Sequence, residues 1–148
     1  MKSINKSLVL LIAGLFLHSC AVYVAYGLYR TVRDINDTLG LVNNSIVKIR
    51  SVLDTGKDLK RAAEDGRLVG TLADKIPSLV LDEVALETRE KIKTLSGNLK
   101  LSSVDFVQNA VAEELTGAKK AYNEMTGTYN EFTGLMSDLS ETLPQAGK

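Results

Sequence analysis

The chain contains no tryptophan, one cysteine, one histidine and two prolines among 148 residues, and 18 acidic residues balance its 18 basic ones. A single cysteine excludes an internal disulfide, so cysteine usage does not fix the redox compartment. His18 and Cys20 both fall inside an apolar stretch, which leaves the polar remainder without the usual zinc ligands or the usual Cys and His catalysts. The expectation is therefore no metal, no cofactor and no enzyme activity. Zero net charge without Lys or Arg clusters argues against nucleic acid, whose phosphates need concentrated positive charge. Asp54-Thr55-Gly56-Lys57 holds a Gly-Lys pair but lacks the first glycine and the preceding strand of a phosphate-binding loop. Scarce aromatics and prolines, with no alternating apolar runs, predict an all-α protein.

What is present is one long apolar run. Leu8 to Tyr29 comprises 22 residues with no Asp, Glu, Lys or Arg; as a helix it would measure roughly 33 Å, about one bilayer core. Residues 1–7 carry Lys2 and Lys6 and form a basic flank, so the plan is that of a signal-anchor helix over 8–29. Tyr23, Tyr26 and Tyr29 fall at its end, where amphipathic rings favour the headgroup zone, and Arg30 and Arg33 follow as anchors. The start amine, Lys2 and Lys6 outweigh Arg30 and Arg33 offset by Asp34 and Asp37. The positive-inside rule then places the N-terminus in the cytoplasm and the C-terminal region outside a plasma or inner membrane.

Leu17-His18-Ser19-Cys20 resembles the lipobox of bacterial lipoproteins, with an apolar residue at −3, a small one at −1 and the cysteine that would be acylated. It departs from that pattern at His18 and in the apolar residues that follow Cys20. The resemblance implies the alternative of an envelope lipoprotein lipidated at Cys20.

From Ala21 the apolar positions are Ala21, Ala25, Leu28, Val32, Ile35, Leu39, Val42, Ile46, Ile49 and Leu53, alternating steps of four and three. That 3.5-residue period predicts a coiled-coil seam that crosses the membrane boundary in phase, and hence one continuous rod. His18, Ala21, Ala25 and Leu28 would form its packing face in lipid, the two alanines allowing close helix approach. Gly56 suits the end of this helix.

A second helix is predicted on Leu59, Ala62, Gly66, Val69, Ala73 and Ile76, stopped by Pro77, with Gly66 and Gly70 leaving a shallow notch. A third would start near Ser78, with seam residues Leu81, Ala85, Thr88, Ile92, Leu95 and Leu99, and would end near Ser96-Gly97-Asn98. Ser102 or Ser103 would cap a long fourth helix on Val104, Val111, Leu115, Ala118, Tyr122, Met125, Tyr129, Phe132, Met136, Leu139 and Leu143. Residues 144–148 read as a disordered tail, and Lys60–Glu64 and Arg61–Asp65 as surface pairs within one helix.

Seams of this kind must be covered. Residues 30–143 would therefore form an up-down bundle folding at Gly56, Pro77 and Gly97, a long coiled-coil hairpin reversing near Pro77, or a parallel homo-oligomer. The functional expectation is a single-pass membrane protein whose outer helices contact other helical membrane or envelope proteins, itself included, as a structural or accessory subunit. A membrane sensor or signalling stalk is the further alternative.

Overall fold

The computed structural model of the protein describes residues 6–143, and their side chains from Tyr23 onward. Four α-helices make up the described chain: α1 (Lys6–Thr55), α2 (Leu59–Lys75), α3 (Leu86–Val111) and α4 (Leu115–Glu141), with a 3₁₀ turn at Ile76–Leu79. Each helix packs on the next and α4 closes back on α1, giving an up-down-up-down four-helix bundle. The bundle replaces the hairpin: the chain reverses three times, at Gly56, in the 80–85 connection and at 112–114, where a hairpin reverses once.

The first helix follows the heptad reading closely. It is unbroken for 50 residues, roughly 75 Å, and Gly40, Asn43 and Asn44 lie on its exposed face, where they do not interrupt packing. Val32, Ile35, Leu39, Val42, Ile46, Ile49 and Leu53 are all buried inside the bundle. At its end, Gly56 has φ of 65°, and its N–H donates to the Val52 carbonyl at 2.9 Å, as the left-handed cap requires.

The core has two connected layers. One, toward the Gly56 end, brings Val42, Ile46 and Ile49 of α1 against Val69 of α2, Phe106 of α3 and Met125 of α4. The other brings Ile35 and Leu39 against Ile76, Ile92, Leu95, Phe132 and Met136. Gly66 lets α2 and α3 approach closely, since a Cβ there would stand 2.7 Å from Cδ1 of Phe106. Leu115, Tyr122, Tyr129 and Leu139 of the expected fourth seam are half-buried, whereas Ala118, Met125, Phe132 and Met136 are fully enclosed.

Three helix boundaries differ from expectation. The third helix starts at Leu86 rather than Ser78, because Pro77 opens a 3₁₀ turn and Val80 is extended. The Ser78 hydroxyl donates back to the Lys75 carbonyl at 2.7 Å, Leu81 is half-buried and Ala85 is exposed, so neither serves as a seam residue. The helix then runs straight through Ser96-Gly97-Asn98. Gly97 and Asn98 face outward, and the Ser96 hydroxyl donates to the Ile92 carbonyl at 2.8 Å without opening the helix. Ser102 and Ser103 cap nothing: both are buried inside α3 and donate to the carbonyls of Leu99 and Lys100. Val104 and Val111 are correspondingly exposed, at 44% and 46%, and Val111 is not part of the buried seam.

The missed reversal is a Schellman turn built without glycine. Glu113 takes φ of 60°, its N–H donates to Ala110, and the Glu114 N–H donates to Asn109 at 2.9 Å. A side chain in this conformation costs on the order of 1 kcal/mol. Its pairing with Lys60, 3.5 Å apart with both side chains about two-thirds exposed, contributes little. Glu113→Gly is therefore expected to raise stability by about 1 kcal/mol, checked by urea unfolding in mild detergent; an unchanged or lower midpoint contradicts this account of the turn. The ion pairs also differ from the expected ones: Lys60 reaches Glu113, and Asp65 pairs across helices with Lys48 at 3.8 Å.

Candidate interaction surfaces

The buried heptad residues face one another inside the bundle, so contacts with anything else must use other surfaces. Two are apolar.

The first lies on the outside of α3. Leu101, Val104 and Val111 are exposed at 65%, 44% and 46%, and with Gln108 they step three, four and three residues along one face. Beside them, α2 and α3 leave a groove of about 440 Å³, whose floor includes Gly70, Ser103 and Val107. It exists because Gly70 has no side chain; a Cβ there would stand 2.6 Å from the Ser103 hydroxyl oxygen. The Lys100 ammonium and Asp74 carboxylate meet across its rim at 2.6 Å. Sequence reading found the Gly66–Gly70 notch but placed Val104 and Val111 in the core. Leu101, lying off the seam, was missed, although its spacing with Val104, Gln108 and Val111 was available.

The second surface is the end of the bundle from which α1 continues toward Lys6. Here the 80–85 connection is strapped onto α1. The Leu81 N–H donates to the Thr31 hydroxyl oxygen at 3.2 Å, Thr31 itself being fully buried. Lower down, Glu83 lies over Gly27, its Cβ and Oε2 each 3.1 Å from where a Cβ on that glycine would stand. The Tyr23 phenol lies close to the Glu83 carboxylate. Around this strap Tyr23, Tyr26 and Tyr29 are exposed at 65%, 63% and 52%, and Leu86, opening α3, at 66%. The Asp82 carboxylate stands free of the surface and meets Arg89 at 3.0 Å.

Of the face expected to pack in lipid, Ala25 is half-buried. Leu28 lines a cavity of about 270 Å³ with Val24, Val84, Thr88 and Leu139, so its neighbours belong to the bundle. His18, Ala21 and the candidate acyl acceptor Cys20 fall among residues whose side chains are not described. Among the residues whose side chains are described, no helix is both long and apolar enough to cross a membrane; most of the expected span, residues 8–22, lies outside that range. Among the described residues there is no group of three or more His, Cys, Asp or Glu side chains placed to hold a metal ion.

Comparison of the chain with protein-family models, with curated proteins and with solved structures finds no match.

Proposed function

We propose that the protein is a non-enzymatic single-pass membrane protein, its N-terminus cytoplasmic and its helical bundle outside. The bundle would mediate contacts with other helical membrane or envelope proteins as a structural or accessory subunit. The observation that supports this best is the double use of α1. One unbroken helix carries the apolar run at one end and supplies a full side of the bundle at the other. A tether that only located the protein would need no such continuity. A rigid joint instead holds the bundle at a set angle and height above the bilayer, which suits a spacer or scaffold. The same continuity suits a signalling stalk working through a cytoplasmic partner.

The surface for partners is the outer stripe of α3 with its neighbouring groove. Leu101 and Val104 stand one helical turn apart in water beside the groove, and contiguous apolar surface of this kind suits a contact site. The α1 seam from Val32 to Leu53 is used within the chain, so a homo-oligomer would form on other surfaces, this stripe among them. The test is Leu101→Asp combined with Val104→Asp in the full chain. Helix content should be unchanged, because both positions are exposed, while proteins that co-purify in mild detergent should be lost. A wild-type chain that is monomeric and partnerless by cross-linking in its native membrane overturns the reading.

The lipoprotein alternative rests on the resemblance of Leu17–Cys20 to a lipobox. It would cut α1 at Cys20 and leave Tyr23 and its neighbours as a short tether.

A further inference from the structure

We infer that the bundle has no stalk, and that its base, carrying Tyr23, Tyr26, Tyr29 and Leu86, is seated in the headgroup layer of the bilayer. This rests on the reading of α1 as a membrane anchor and adds where the membrane surface falls.

Level is fixed by the strap. The connection meets α1 at Thr31, Gly27 and Tyr23, running down its side toward Lys6 over roughly 12 Å of helix rise. Everything from Tyr23 onward is therefore level with other parts of the bundle, including the carboxylates of Asp82 and Glu83. Such groups do not enter hydrocarbon.

What remains for the hydrocarbon is Leu8 to Val22, 15 residues. At the α-helical rise that is roughly 22 Å, against about 30 Å for a typical bilayer core. No residue is left over for a linker, and the anchor is short without the level of Tyr23. Thinning of the bilayer covers part of the deficit. The remainder places the bundle base within the interfacial layer, roughly 5–7 Å deep on each face.

The side chains at that level suit it. Three exposed tyrosines present rings with polar tips, the chemistry favoured at the lipid–water boundary. Leu86 projects two-thirds exposed beside them with no core to fill. Arg30 lies at the outer edge of this ring, and Arg89 neutralises Asp82. Both signs of charge are present, so the surface fits a zwitterionic interface and needs no anionic lipid.

The test places a nitroxide at Leu86→Cys and, separately, at Leu101→Cys. Both variants are full chains carrying Cys20→Ala, reconstituted in phosphatidylcholine vesicles, and collision with oxygen and with a water-soluble nickel chelate is measured. Leu101 is also exposed and sits 15 residues further along α3, roughly 22 Å higher. The label at 86 should collide several-fold less with nickel than the label at 101 while keeping its oxygen collisions, since oxygen partitions into lipid. Equal nickel accessibility at the two sites overturns the seat. Low collision with both reagents at 86 also overturns it, by showing a protein neighbour there. Failure of the chain to float with the vesicles is a separate result, which overturns the anchor reading itself.

Discussion

Replacing Phe106 with alanine is expected to lower the unfolding free energy by about 3–5 kcal/mol. The ring is fully buried between α2 and α3, in the layer that also holds Val69 and Met125. It is packed against the notch at Gly66, so neighbouring side chains have little freedom to collapse into the space it leaves. The notch makes a second, sharper expectation. Gly66→Ala in the wild-type chain pushes a methyl group against the ring and should destabilise by about 1–3 kcal/mol. In the Phe106→Ala background the clash with the ring is gone and only Cγ2 of Val107, 2.9 Å from the new Cβ, still has to give, so the cost of the same methyl should fall by at least about 1 kcal/mol. Urea unfolding of the four variants in mild detergent, followed by far-UV circular dichroism, measures this. A loss under about 1 kcal/mol for Phe106→Ala, or additive single and double variants, contradicts the packing described for this layer.

The second large effect concerns the rod. Asn36 is exposed on α1, one residue from the buried Ile35. Asn36→Pro removes the amide that donates to the Val32 carbonyl and drives the proline ring into that carbonyl, costing about 3 kcal/mol or more. Because Val32, Ile35 and Leu39 all depend on one straight axis to reach the core, a kink here also misplaces the lower layer. Asn36→Ala changes the same exposed side chain without touching the backbone and should stay within about 0.5 kcal/mol of wild type. Equal unfolding midpoints for the proline and alanine variants would show that α1 does not act as a continuous helix at this point.

The contrast between α1 and α3 shows what the sequence makes legible. In α1 and α2 the apolar positions keep a single 3.5-residue phase, and Val32 to Leu53 and Leu59 to Ile76 are buried accordingly. Phase is enough there because both ends carry ordinary punctuation, Gly56 and Pro77. In α3 and α4 the punctuation misleads. Gly97 and Asn98 sit on the solvent face of an intact helix held by Leu95 and Leu99, so tertiary packing overrides a local turn signal. The real reversal at Ala112-Glu113-Glu114 has neither glycine nor proline and depends on a glutamate at positive φ. Val111 and Leu115, four residues apart, keep the heptad step across that turn by coincidence, and so two helices read as one.

The same error hid the candidate surface. Once Val104 and Val111 are read as core, the stripe they form with Leu101 disappears from view. Leu86 was invisible for another reason: the predicted start at Ser78 left it inside a helix rather than at the base of one. Neither the strap of Glu83 over Gly27 nor the bond from Leu81 to Thr31 follows a periodicity. Contacts between residues about 50 positions apart have no local signature, and these are the contacts that set the bundle's level against the proposed membrane.

The central claim is that α1 is an uncut anchor shared between membrane and bundle. Intact-mass measurement of the protein extracted from membranes tests it most directly. The account predicts a membrane-bound chain of about 16.1 kDa that still begins at its own N-terminal methionine. A mature chain beginning at a diacylated Cys20 would contradict it, because the rod would then start only three residues before Tyr23.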